Sequence, residues 1–316
     1  AEADVEDPAA EDPTEGTDTE ASSEKETKPV PVYVIPIKGP IQHSSLIEAV
    51  EQAAEKAKKH HAEIVVFHLD TPGGIVFIAD KVISAIQEID WARTVAWVEG
   101  NEHHGALSAG AFISLATHNI YMANGTTLGA AVPFRQMSTG EIEVDAKFQS
   151  AFRARFRALA QERGHPAVLA DAMVDSSVSV IQVFIDGEQK LVSEDEVERL
   201  RENNPEKFKR GKTISKPGKV LTLTADEAVD YGIAKAHAGS LDELAKAMGI
   251  ENPNFIEADW LPEYVKEDAE KKKRIFERCR TAFNTNWQQA MESDPKRQMY
   301  YVDEDMKFED GGQRWQ

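Results

Sequence analysis

The sequence predicts an α/β fold of repeated βαβ units around a parallel sheet, and three observations carry that prediction. β-branched runs alternate with stretches of helical periodicity from residue 30 to about 249. Two glycine-rich segments, Leu69-Asp70-Thr71-Pro72-Gly73-Gly74 and Gly105-Ala106-Leu107-Ser108-Ala109-Gly110, each close a strand-like run and open a helix-like one. Composition shifts at both ends of this block, dividing the chain into an acidic tail (1–29), a folded domain (30–249) and a charged helical extension (250–316).

Residues 1–28 hold eleven acids against Lys25 and Lys28 and no aromatic residue. Such a segment buries too little apolar surface to offset the entropy of ordering, so disorder is expected there. From Pro29 the pattern changes, and Val30 to Ile37 reads as a buried strand. Leu46, Val50, Ala53 and Ala57 recur at helical spacing behind a Ser44-Ser45 cap, and Ile64 to Leu69 forms a strand ending at the first glycine segment. Ile75, Ile78, Val82, Ile86 and Ile89 mark the next helical face. Thr94 to Val98 reads as a strand, Ala109 to Thr117 as a short apolar helix, and Ile120 to Met122 as another strand. This alternation implies parallel pairing through right-handed crossovers, with ligands beyond the strand C-termini, where both glycine segments fall.

Phe148, Phe152, Phe156 and Leu159 place an apolar stripe on a helix from Lys147 to Arg163, capped by Asp145 and stopped by Gly164. A helix is expected over Pro166–Asp175 and a strand over Val178–Ile185. A hairpin or surface insertion over Gly187–Lys219 carries a short helix near Glu194–Arg201. Two capped helices, Thr224–Tyr231 and Ser240–Met248, flank Gly232-Ile233-Ala234 and complete the core. Residues 263–292 read as a charged helix bearing Lys271-Lys272-Lys273-Arg274, a cluster more typical of a solvated face than of a binding patch.

Composition excludes several classes of function. The net charge is −19 over 316 residues, with no basic stripe to balance phosphates, which argues against non-specific nucleic-acid binding. Cys279 is the single cysteine, so no intramolecular disulfide forms. No apolar run approaches the ~20 residues of a membrane-spanning helix. The start at Ala1-Glu2-Ala3 fits a chain left after signal-peptide removal as well as a trimmed one; the first case implies an extracytoplasmic, periplasmic-side or membrane-associated location.

A serine between small residues at a strand-to-helix turn can lift its hydroxyl clear of bulky neighbours, with the unpaired amides of the helix start behind it. Ser108 has this setting. A hydroxyl is a weak nucleophile until a neighbour accepts its proton, and three candidate bases are in view. His103 and His104 lie on the loop leading into the motif. Lys147 opens an apolar helix, where burial and the positive helix end would both disfavour an ammonium. The amides of Gly73, Gly74 and Ala109 are the candidate oxyanion donors, because glycine lets the main chain approach a substrate closely. Thr71-Pro72-Gly73-Gly74 equally suits a tight strand–helix turn with no further role.

These two segments, together with Asn124-Gly125-Thr126-Thr127-Leu128-Gly129-Ala130-Ala131, resemble the NfeD-type, membrane-associated ClpP-class serine proteases in order and spacing. The resemblance runs from about Val32 to Met248, through Leu221-Thr222-Leu223-Thr224-Ala225-Asp226-Glu227-Ala228, with Leu107 in place of the small residue often found before the serine. It implies a ClpP/crotonase-like fold, related to signal peptide peptidase A, and a Ser–Lys dyad. By motif the nucleophile falls on Ser108 and the base on Lys147, which follows it by 39 residues and precedes Leu159-Ala160-Gln161-Glu162. No histidine occurs between Asn119 and His165, where ClpP peptidases carry theirs. The resemblance further implies polypeptide substrates that are extended and hydrophobic, among them membrane-protein segments. It also implies stomatin-like partners, assembly into homo-oligomers, and no cofactor.

Two other classes remain open at this point. One is a non-catalytic scaffold binding unfolded or membrane-proximal segments; the other is a crotonase-like acyl-CoA enzyme, which needs a carboxylate base in place of Lys147. No metal is implied, since His60, His61, His68, His103, His104 and His118 lack a ligand spacing backed by carboxylates.

Overall fold

The computed structural model describes residues 28–136 and 142–293. The sequence expectations for the acidic tail and for the polar C-terminus beyond Ser293 therefore lie outside the described residues.

The first half follows the expected alternation. β1 (Val30–Lys38) leads to α1 (Ser45–Lys59), β2 (Ile64–Asp70) to α2 (Val76–Gln87), and β3 (Arg93–Val98) to the short β4 (Gly105–Leu107). Then come α3 (Ala109–Leu115), β5 (Asn119–Met122), β6 (Thr127–Gly129), β7 (Arg135–Gln136) and β8 (Ile142–Glu143). The second half runs α4 (Ala146–Arg163), α5 (Ala167–Val174), β9 (Val180–Ile185), β10 (Glu188–Val192), α6 (Glu194–Asn203) and β11 (Phe208–Ser215). It closes with β12 (Thr222–Thr224), α7 (Ala225–Asp230), β13 (Ala236–His237), α8 (Leu241–Met248), β14 (Pro253–Glu257) and α9 (Trp260–Ser293).

Six strands form the central sheet in the order β13-β5-β3-β2-β1-β14, every neighbour parallel. β2 is buried along its whole length, the mark of a strand covered on both faces. Tyr33, Ile35, Val65, Phe67, Ala96 and Ile120 enter the main core beneath α1 to α5. Val32, Val34, Val66, Val95, Trp97 and Tyr121 point the other way, onto a smaller core closed by Leu244 of α8. The expected insertion over 187–219 supplies β10, α6 and β11; its two strands flank β9 in a three-stranded sheet, β10-β9-β11, and α6 packs on Ile181 and Val183 through Val197.

Two details differ from the sequence reading. The Ser45 hydroxyl makes no cap for α1; it donates instead to Asp268 of α9 at 2.7 Å. Nor does the sheet end with the core expected at Gly249: β14 pairs with β1 from Val30↔Pro253 to Val34↔Glu257. α9 then packs on α1, with Leu261 buried, the Lys56 ammonium 3.6 Å from the Trp260 ring centroid, and Lys272 paired to Glu48 at 2.9 Å. The five residues of β14 are too few to carry a periodic signal.

Candidate active site

The site is built where β2 and β4 end. Thr71, just past β2, pairs with the second small sheet, β12-β6-β4: its N–H donates to the Gly105 carbonyl (2.8 Å) and its carbonyl accepts from Leu107 (3.0 Å). One residue on, Ser108 turns the chain into α3 at φ +52°, ψ −114°. A non-glycine residue there carries about 1–3 kcal/mol of strain and persists only when its surroundings fix it. They do so here: the Ser108 N–H donates to the Gly129 carbonyl at 2.8 Å, its carbonyl accepts from Phe112 at 3.2 Å, and all seven residues of α3 are buried. Ser108 itself is half-buried, and its hydroxyl has no hydrogen-bond partner among the described residues.

Gly73 lies against this turn. At φ +97°, a Cβ on it would stand 2.5 Å from the Ser108 Cβ and 3.0 Å from the Ala109 nitrogen, so any side chain would displace the serine. One of the three amides named from sequence is already engaged, because the Gly73 N–H donates to Thr71 Oγ1 at 3.0 Å. Among the described residues, the Gly74 and Ala109 N–H groups have no internal acceptor. The loop after β1 holds the glycines in place: the Ile41 N–H donates to the Gly73 carbonyl (2.8 Å), and the Ile41 carbonyl accepts from Ile75 (2.7 Å).

α2, α3 and α4 run in the same direction and start at the same end of the molecule. Midway, Phe112 of α3 stacks with Phe156 (4.8 Å) and tilts against Phe152 (4.9 Å) of α4, while Asp80 of α2 pairs with Arg155 at 2.6 Å. At the far end, Gln87 meets Glu162 (3.0 Å) and Arg163 meets His118 (2.9 Å). Ser108 and Lys147 are thus both at helix starts on one end of the packed layer. Lys147 is the second residue of α4, and Asp145 caps the helix as expected, accepting from the Phe148 N–H at 2.8 Å.

The burial invoked for Lys147 from sequence is not found within the chain. Its side chain is exposed, because the first turn of α4 projects past α3. Neither loop histidine reaches the serine. The His103 ring lies 3.7 Å from Glu102, and His104, exposed at φ +53°, contributes its carbonyl to Thr127.

Sequence reasoning missed Asp70. Its carboxylate is buried at the end of β2 and accepts from two amides of the 99–104 loop, those of Glu102 and His103. Membership of the first glycine segment was its only signal, because its partners are main-chain groups.

The NfeD1b N-terminal domain model matches residues 31–199 of this sequence. The chain belongs to that family. To the membrane protein NfeD1b of Bacillus subtilis (strain 168) it is 29% identical over 236 residues, which take in 75% of this chain and 44% of that one. To the membrane-bound protease PH1510 of Pyrococcus horikoshii it is 32% identical over 198 residues, 61% of this chain and 43% of that one. This NfeD1b-family chain therefore spans less than half the length of either relative. Among solved structures it is similar to a serine-to-alanine variant of the 1510-N membrane-bound stomatin-specific protease, with a TM-score of 0.53 at 26% identity over 70% of this chain and 86% of the other. A lysine-to-alanine variant of 1510-N, in complex with a substrate peptide, matches with a TM-score of 0.56 at 24% identity over 76% of this chain and all of the other. The fold is the α/β fold around a parallel sheet that the sequence predicts, and the 1510-N structures share it. Among the described residues no helix is long and apolar enough to cross a membrane.

Proposed function

We propose that this chain is a serine endopeptidase in which Ser108 attacks the peptide carbonyl and Lys147 serves as general base. The conformation of Ser108 carries the reading: a strained half-buried serine, held by hydrogen bonds on both sides, with two unengaged amides beside it. Lys147 takes the hydroxyl proton as the serine oxygen bonds to the carbonyl carbon, then returns it to the departing amine; water hydrolyses the acyl-serine by the reverse relay. The Gly74 and Ala109 amides receive the negative oxygen. Gly73 acts through its closeness to the serine, not as a donor.

A lysine acts as a base only where desolvation disfavours its ammonium; Lys147 is exposed in the free chain, and a second copy of the chain laid over the helix starts supplies that desolvation. The rim suits an apolar substrate: Phe77 opens α2, Phe148 opens α4, and Phe134 and Val144 lie on the segments between β6 and α4, all exposed. Extended hydrophobic stretches, including segments of membrane proteins, are the substrates this rim fits. Stomatin-like proteins are the partner class, supported by the name of the 1510-N protease, and the relatives' names support a place at a membrane.

The test is cleavage of an unfolded, apolar-rich polypeptide by wild type, Ser108→Ala and Lys147→Ala, with mass spectrometry for an acyl-enzyme. Wild type cleaves; Ser108→Ala forms no adduct, and Lys147→Ala loses roughly a hundredfold or more in rate. Cleavage by both variants at the parental rate overturns the dyad.

A further inference from the structure

Asp70 is 4% exposed and among the described residues makes no hydrogen bond with Ser108, yet the segment that delivers the serine is wrapped around it. Its Oδ2 accepts from the Glu102 N–H at 3.1 Å and its Oδ1 from the His103 N–H at 3.0 Å. Gly100 packs so closely that a Cβ there would lie 2.1 Å from the Asp70 Cγ. The loop's first residue is tied to the same strand, for Glu99 meets the buried His68 ring of β2 at 2.9 Å. Only His104 separates His103 from Gly105, where Thr71 captures the chain before taking it again at Leu107, and Ser108 follows.

One stretch of chain, from His68 at the end of β2 to Gly73 just beyond it, therefore fixes the serine turn from start to finish. His68 and Asp70 hold the approaching loop, Thr71 holds β4, and Gly73 packs on the serine. A carboxylate suits this position because it presents only acceptors to two converging N–H groups. Asparagine has nearly the same volume but aims an NH2 at one of them. Glutamate needs room that Gly100 has closed.

We infer that Asp70 is a positioning residue for Ser108: its carboxylate holds the 99–104 loop so that β4 presents the hydroxyl at the strained turn. This rests on the reading of Ser108 as the nucleophile.

The experiment uses the full chain and a small fluorophosphonate that labels activated serines, fitting the saturating labelling rate and the half-saturating concentration separately. Amide hydrogen exchange at Glu102 and His103 is followed in parallel. Asp70→Asn should lower the saturating rate roughly tenfold or more, the scale of a slightly misplaced reacting atom, with the half-saturating concentration within about twofold of wild type. Exchange at the two loop amides should quicken roughly tenfold or more as they lose their acceptor. Gly100→Ala, which crowds the carboxylate from the loop side, should reproduce both effects with Asp70 intact, and it carries the test should Asp70→Asn fail to fold. Quickened exchange with labelling at the wild-type rate overturns the inference, as does unchanged exchange in both variants. Wild type that labels no better than Ser108→Ala overturns the reading of the serine instead, and this inference with it.

Discussion

Ser108 holds a backbone conformation that few side chains tolerate, and that has a measurable signature. Glycine reaches φ +52° without a Cβ penalty, whereas alanine keeps the strain. Relief of about 1–3 kcal/mol outweighs the ~0.5–1 kcal/mol that glycine's extra freedom costs the folded state. Ser108→Gly should therefore be more stable than Ser108→Ala by about 1 kcal/mol in urea denaturation; equal stabilities would mean the turn is relaxed. Part of this was legible in the sequence, since Gly105, Ala106, Ala109 and Gly110 around Ser108 mark a tight strand-to-helix junction. Which amides are open was not. The Gly73 N–H is consumed by Thr71 two residues away, a local bond that depends on the rotamer of Thr71 and not on composition.

α4 divides one sequence stripe into two environments. Phe148, Phe152 and Phe156 recur at the same spacing, and periodicity treats them alike. Phe156 is fully buried against Phe112, whereas Phe148 is 49% exposed because the helix outruns α3 by a turn. Phe156→Ala should destabilise the fold by about 3–5 kcal/mol. Phe148→Ala should leave stability within about 0.5 kcal/mol but lower kcat/KM for apolar peptides roughly tenfold, as expected for losing a ring that the substrate buries. Thermal denaturation and peptide kinetics on the two variants separate these outcomes; unchanged kinetics for Phe148→Ala would remove it from the substrate rim. The sequence specifies a helix and its apolar face, but where a helix passes its neighbour's end depends on loop lengths elsewhere. The same limit hid the bond from Ser45 to Asp268, a contact 223 residues distant.

Across the molecule, three histidines resist protonation. Burial lowers the pKa of His68, with Lys38 adding to the shift and Glu99 opposing it. Burial also lowers His118, reinforced by Arg163 and Arg93, and His165, whose bond to the Thr117 carbonyl pulls the other way. A depressed folded-state pKa means the native chain binds fewer protons than the unfolded one. The resulting stability is full above the unfolded value of ~6.5 and is lost as pH falls through the lower folded-state values. The melting temperature should thus decline between about pH 7 and pH 5, and less steeply in His165→Gln, where one such group is gone. A profile flat over that range would show that the buried rings take up protons freely. The alternating architecture was readable because each βαβ unit repeats its own periodicity, while the outermost strand was not, having five residues and no partner nearby in sequence.

That outermost strand has a consequence for biosynthesis. β1 emerges from the ribosome early, but the neighbour on one of its flanks, β14, is translated more than two hundred residues later. At about 5–20 residues per second the nascent chain waits tens of seconds with a row of main-chain donors and acceptors uncovered. Until β14 arrives, β1 is itself the open edge on that side of the sheet; once they pair, β1 is covered on both flanks and the edge passes to a strand of only five residues.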